Sequence, residues 1–116
     1  EEERRAMREN LEDQETLAIF DLLREGKELG PKEKNEVKKI AQQTLDKLKA
    51  EKLKIERWRE SRQITAQVKG MIYDNLLWLP QEVYSDEEVS LKTVSVYQHI
   101  YTNYFGGGKS VYQRMA

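Results

Sequence analysis

Between its only two prolines, Pro31 and Pro80, this chain sets apolar residues three and four positions apart. Val37, Ile40, Ala41, Leu45 and Leu48 make one such series. Trp58, Val68, Ile72, Leu76 and Leu79, with Thr65 in step, make a second, which Ile64 and Met71 widen. A period near 3.6 gathers these side chains on one stripe of a helix, whereas a strand, with a period of two, would scatter them over both faces. The spacing therefore demands long helices with one buried face and the many lysines on the other. The register slips once, where Leu53 and Ile55 lie two apart, and this predicts a break between about 50 and 55.

Capping signals divide the rest. Asp13 reads as the N-cap of a helix over roughly 14–25, with Glu15 in its first turn, an apolar face of Leu17, Ile19, Phe20 and Leu23, and Gly26 as its stop. Pro31 opens the second helix, where its missing N–H costs little. A third is expected over about 54–78, ended by Pro80. Ser85 and Glu88 form a capping box that opens a last helix to about Tyr104, with Val89, Val96, Ile100 and Tyr104 on its face and Thr93 as a polar gap. No alternating run persuades as a strand. The expected fold is all-α, an irregular bundle of four to five helices with long central helices and short loops. Residues 1–11 read as the end of an upstream helix or linker, 12–105 as the helical domain and 106–116 as a Gly-rich turn and tail. The chain opens on Glu1-Glu2-Glu3-Arg4-Arg5, without the apolar stretch of a secretory signal, and reads as a piece of a longer protein.

Composition narrows the chemistry. The 116 residues suffice for one domain. With no cysteine there are no disulfides and no thiolate metal ligands, which suits an intracellular protein. No apolar run nears the roughly 20 residues that a membrane span requires. Charge is uneven: residues 1–36 carry 7 basic and 12 acidic side chains, residues 37–69 carry 10 and 4, and residues 70–116 carry 3 and 5. A basic middle suits a solvated helix face, nucleic acid or an acidic protein surface.

The stretch Gly106-Gly107-Gly108-Lys109-Ser110 tests a phosphate-binding loop, and the match fails. The pattern requires glycine where Asn103 stands, and a strand should precede it and a helix follow it. The glycines fit a turn back over a helix end instead. His99, the only histidine, has no evident nucleophile or second ligand beside it and reads as a core or surface histidine beside tyrosines. Glu36-Val37-Lys38 matches a nuclease-like Glu-x-Lys element, but on a helix and without a strand-borne aspartate, so it reads as chance. No catalytic or metal set emerges.

Two candidate surfaces remain. Lys47, Lys49, Lys52, Lys54, Arg57, Arg59 and Arg62 form the densest basic stretch, interrupted by Glu51, Glu56 and Glu60, and Arg57, Arg59 and Arg62 are its candidate phosphate contacts. Tyr97, Tyr101 and Tyr104 share a face of the last helix, with Phe105 and Tyr112 nearby. Tyrosine there suits either packing or a partner interface.

Three stretches, in order, resemble the C-terminal helical domain of type I restriction enzyme R subunits. Glu15 to Leu23 contains LAIFDLL. Trp58-Arg59, Arg62 and Val68 ahead of Leu79-Pro80 are similar to the family's following long helix. Val96 to Tyr101 reads VYQHIY, followed by the Gly-rich turn and Ser110-Val111-Tyr112. The similarity covers about residues 12 to 112. It implies a cytoplasmic parent subunit that translocates and cleaves DNA using ATP and Mg2+, with its nuclease and helicase domains upstream. It also implies that this domain, with no cofactor of its own, docks the motor on the modification (methyltransferase) and specificity subunits. Tyr97, Tyr101 and Tyr104 are then the expected partner contacts. Direct DNA binding through the basic stretch 47–62 is the alternative.

Overall fold

Helix signals in the sequence become four helices in the computed structural model, which describes residues 11–112. They are α1 (Leu11–Arg24), α2 (Pro31–Glu51), α3 (Arg62–Leu76) and α4 (Asp86–Asn103). A 3-10 turn, Trp58–Glu60, precedes α3, and a small antiparallel hairpin, β1 (Tyr104–Gly106) with β2 (Lys109–Ser110), follows α4. The expectations for residues 1–10 and for the tail beyond Tyr112 lie outside the described residues.

The caps explain where the helices start and stop. Gly26 takes φ +77°, a left-handed conformation that releases the chain from α1. Gly30 is the N-cap of α2, and Pro31 occupies its first turn. Ser61 caps α3, its hydroxyl accepting from the Ile64 N–H at 3.2 Å. Ser85 and Glu88 complete the expected box at α4: the Glu88 N–H donates to the Ser85 hydroxyl at 3.2 Å, and the Ser85 N–H donates to the Glu88 carboxylate at 3.0 Å.

Three local expectations are corrected. Asp13 lies inside α1 rather than capping it. Residues 54–61 are not the start of a long third helix: α2 ends at Glu51, the chain turns, Arg57 takes a left-handed φ of 56°, and α3 begins only after Ser61. The turn lets both Leu53 and Trp58 reach the core, which a straight helix could not do for residues five apart. The hairpin after α4 is the third correction. Its strands are too short to show alternation, so no sequence period announces them.

α1 packs on α2, α2 on α3 and α3 on α4, and α4 returns to α1, closing the bundle. Neighbours run antiparallel. Lys49, near the end of α2, and Tyr104, just past α4, both reach Glu15, early in α1, while Lys92, early in α4, reaches Leu22 and Glu25 at the end of α1. The core is the expected stripe from each helix: Ile19, Phe20 and Leu23; Val37 to Leu48; Val68, Ile72 and Leu76; Val89, Val96 and Ile100. Each such side chain contributes about 1.5–3 kcal/mol by leaving water. Thr44 and Thr93 are also buried. Each spends its hydroxyl on the carbonyl four residues back, Ile40 and Val89, so neither leaves a polar gap.

Candidate functional site

The three consecutive glycines form the turn of the hairpin, at φ +102°, +63° and +77°. Two of their amides are bound to protein carbonyls. Gly107 N–H donates to the Ile55 carbonyl at 3.2 Å and Gly108 N–H to the Leu53 carbonyl at 3.1 Å. The hairpin thus docks on the turn that follows α2. Gly106 makes the closest approach: a Cβ there would lie 2.9 Å from both the Arg57 nitrogen and the Ile55 oxygen. The amides that a phosphate loop would offer to its ligand are used to fasten two loops together.

Beside the hairpin lies a buried polar cluster. Glu15, in α1, is 5% exposed, and both its oxygens are engaged: the Tyr104 hydroxyl donates to Oε1 at 2.7 Å and Lys49 Nζ to Oε2 at 3.0 Å. Burial, followed by the Glu15 contact, pushes the Tyr104 hydroxyl far above its usual pKa, and burial also raises Tyr112. The Asn103 amide nitrogen sits 2.8 Å from the His99 carbonyl and 3.1 Å from His99 Nδ1. A nitrogen of that kind only donates, so Nδ1 accepts and Nε2 carries the proton, aimed at the Tyr112 hydroxyl 3.4 Å away. Burial holds His99 below its ordinary pKa, in keeping with a neutral ring. Both Glu15 oxygens, the Tyr104 hydroxyl and both His99 ring nitrogens have partners within the cluster, an arrangement that fastens α1, α2 and the hairpin end of α4 together. Glu15 was legible in principle: it stands four residues before Ile19 and eight before Leu23, on the apolar stripe itself.

The tyrosine set splits. Tyr104 begins β1 and is 2% exposed, so of its two expected places, the core stripe with Val96 and Ile100 and the tyrosine surface, it takes the first, its ring filling the core between His99 and Tyr112. Tyr101 stays 41% exposed and Tyr97 half-buried, one helical turn apart with ring centroids 6.0 Å from each other. Arg59 joins them. Its guanidinium lies 5.6 Å from the Tyr101 ring centre and 5.3 Å from that of Phe105, and it donates to the Tyr101 carbonyl at 3.0 Å. Lys69 lies over Tyr97 at 5.9 Å, and Trp58 supports Tyr101 from below with an edge-to-face contact. The structure therefore brings Tyr97, Tyr101 and Arg59 into one corner, and leaves Arg57 and Arg62 exposed to either side of the 3-10 turn.

A second surface was not foreseen. An open groove between α3 and α4 is lined by Ala66, Gly70, Tyr73, Ser90 and Val94. Its signal is a second stripe on α3, outside the core one: Ala66, Gly70, Tyr73 and Leu77 recur at steps of four and three. Among the described residues no group of three acidic or histidine side chains is placed to hold a metal ion, and no helix is long and apolar enough to cross a membrane. No family model, curated protein or solved structure matches this chain.

Proposed function

We propose that this chain is a non-catalytic helical assembly module, the C-terminal domain of a type I restriction enzyme R subunit, which docks the DNA-translocating motor on the modification and specificity subunits. ATP, Mg2+ and the cleavage chemistry belong, in this proposal, to other parts of the parent subunit. The observation that carries it is the Arg59, Tyr97 and Tyr101 corner. Arginine and tyrosine dominate the energetic centres of protein interfaces. Here the guanidinium is already held between two rings and a carbonyl, so docking costs it little rotamer entropy. The bound amides of Gly107 and Gly108 and the occupied oxygens of Glu15 argue for a structural use of the residues that most resemble chemistry.

Calorimetric titration of the chain into a complex of modification and specificity subunits tests the proposal. Tyr101→Ala and Arg59→Ala are each expected to weaken binding about tenfold or more, the scale of an interface centre. Absence of binding by the wild-type chain removes the docking role. Binding that both variants retain in full moves it to another surface.

Direct DNA binding is the second reading, and the exposed Arg57 and Arg62 favour it. A short duplex followed by fluorescence anisotropy decides. Affinity that falls steeply with salt supports phosphate contact, and no binding at low salt ends it.

A further inference from the structure

The corner of Arg59, Tyr97 and Tyr101 is continuous with the groove between α3 and α4, and Lys69 belongs to both. Its ammonium lies over the Tyr97 ring at 5.9 Å, and its side chain lines the groove. Two stripes run along this face. On α3, Arg62, Ala66, Lys69 and Tyr73 recur at steps of four, three and four. On the antiparallel α4, Ser90, Val94, Tyr97 and Tyr101 recur at the same steps. Ala66, Gly70 and Ser90 keep the groove open, while Tyr73 and Val94 expose apolar surface beside them. Charge is uneven along the face. Arg59, Arg62 and Lys69 lie in the half where α3 starts and α4 ends, and none of the three is ion-paired among the described residues. Asp86 and Glu87, at the start of α4, are exposed at the opposite end.

We propose that corner and groove together seat one amphipathic helix of the partner subunits, apolar along its length and acidic only where it passes over Arg59, Arg62 and Lys69. The inference rests on the docking reading above and adds the chemistry of the occupant. A helix fits because this face is made of helices alone. Strand addition would need an open sheet edge, which the groove does not offer. Small side chains at Ala66, Gly70 and Ser90 let a third helix approach as closely as bundle neighbours do. The 15 residues of α3 give the face a length of about 22 Å at 1.5 Å per residue, room for the anchors that a docked helix places at successive turns. Three cations without carboxylates call for acid in the occupant, and complementary charge sets its direction along the groove. Asp86 and Glu87 repel acid at the far end, which disfavours an evenly acidic helix.

Hydrogen exchange on the complex of modification and specificity subunits, with and without the full chain, locates the occupant. The expected footprint is a helical segment with an apolar stripe and acidic residues towards one end. Calorimetric titration of the same complex then reads the groove apart from the corner. Gly70→Glu and Val94→Glu are each expected to weaken binding about tenfold or more. Both leave the chain folded, because a Cβ at Gly70 meets nothing within 4 Å and Val94 is already exposed. Lys69→Glu should also cost about tenfold, and lysine in place of the acidic residue that the footprint sets over it should restore the loss. A wild-type chain that does not bind removes the docking reading and this inference with it. Binding that falls with Arg59→Ala and Tyr101→Ala but ignores Gly70→Glu and Val94→Glu keeps the docking reading and overturns the inference. A footprint on a strand, or on a helix without acidic residues, overturns it as well. So does self-association of the free chain in sedimentation velocity that Gly70→Glu abolishes, which would assign the groove to a second copy.

Discussion

Trp58 shows how a residue can be read correctly for burial and wrongly for backbone. It belongs to the apolar series, and it is completely buried, but it arrives in the core from a 3-10 turn instead of a helix. Its indole N–H finds no acceptor there. A buried donor without a partner carries a desolvation cost of about 1–3 kcal/mol. Trp58→Phe removes that cost along with part of the ring, and the two effects oppose each other. The expected destabilisation by urea unfolding is under about 1.5 kcal/mol, against about 3–5 kcal/mol for Trp58→Ala, which leaves a cavity. Equal losses for the two variants would show that the N–H is satisfied. His99 offers a second residue-scale test. Its folded pKa lies below the unfolded value of 6.5, since burial disfavours the imidazolium and Asn103 offers a donor, not an acceptor, to Nδ1. The unfolded chain therefore binds the proton first. Stability is full above pH 6.5 and falls as pH drops from 6.5 through the folded pKa. Urea midpoints for the wild type and His99→Gln, compared between neutral and mildly acidic pH, should show the wild-type slope flattened in the variant.

At the scale of elements, two glycines with opposite environments give opposite outcomes. Gly106 combines a φ of +102° with backbone atoms 2.9 Å from where a Cβ would stand, so Gly106→Ala must move the hairpin off Ile55 and Arg57. A loss of about 2 kcal/mol or more is expected from strain of that kind. Gly70 sits mid-helix with open space around it, and Gly70→Ala should gain about 1 kcal/mol from helix propensity. Thermal unfolding of the two single variants checks both signs. The contrast also explains what the sequence could reveal. Helices that carry caps and a 3.6-period stripe were legible: the Ser85 and Glu88 box and the Gly26 stop stand where the residues place them. The break after α2 was legible from the spacing of Leu53 and Ile55. The shape of the break was not, because the left-handed Arg57 and the hairpin above it depend on hydrogen bonds from Gly107 and Gly108, about fifty residues downstream. Periodicity reports a local face and carries no word of such a distant partner.

The molecule as a whole is held closed along the seam of α1 and α4, and polar groups do much of that work. Among the residues whose burial is described, α1 contributes Ile19, Phe20 and Leu23 to the buried apolar core, against five apolar residues from α2. Its last carbonyls are gripped from α4 and from the connection before it: Lys92 donates to Leu22 and Glu25, and the Tyr84 hydroxyl donates to Leu23 at 2.7 Å. A cation at a helix C-terminus also meets the favourable end of the dipole. Lys27, just beyond, pairs with Glu88. At the other end of the seam, Tyr104 and Lys49 hold Glu15 across 89 and 34 residues of sequence. The distribution of the tyrosines follows from this closure. A three-residue step placed Tyr104 on the face of Tyr101, but the helix ends at Asn103, and the chain then turns inward where Glu15 waits. Tyr104→Phe keeps the ring and removes the donor, leaving one oxygen of a buried carboxylate unpaired. About 1–3 kcal/mol should be lost, more than a surface tyrosine would cost. The loss should also be local. An element with few apolar anchors opens before the global transition does. Amide hydrogen exchange in α1 of the variant should therefore accelerate while the central amides of α2, around Ala41 and Leu45, keep their wild-type rates at neutral pH. Uniform acceleration across both helices would mean that the bundle opens only as one unit and that the seam has no independent give.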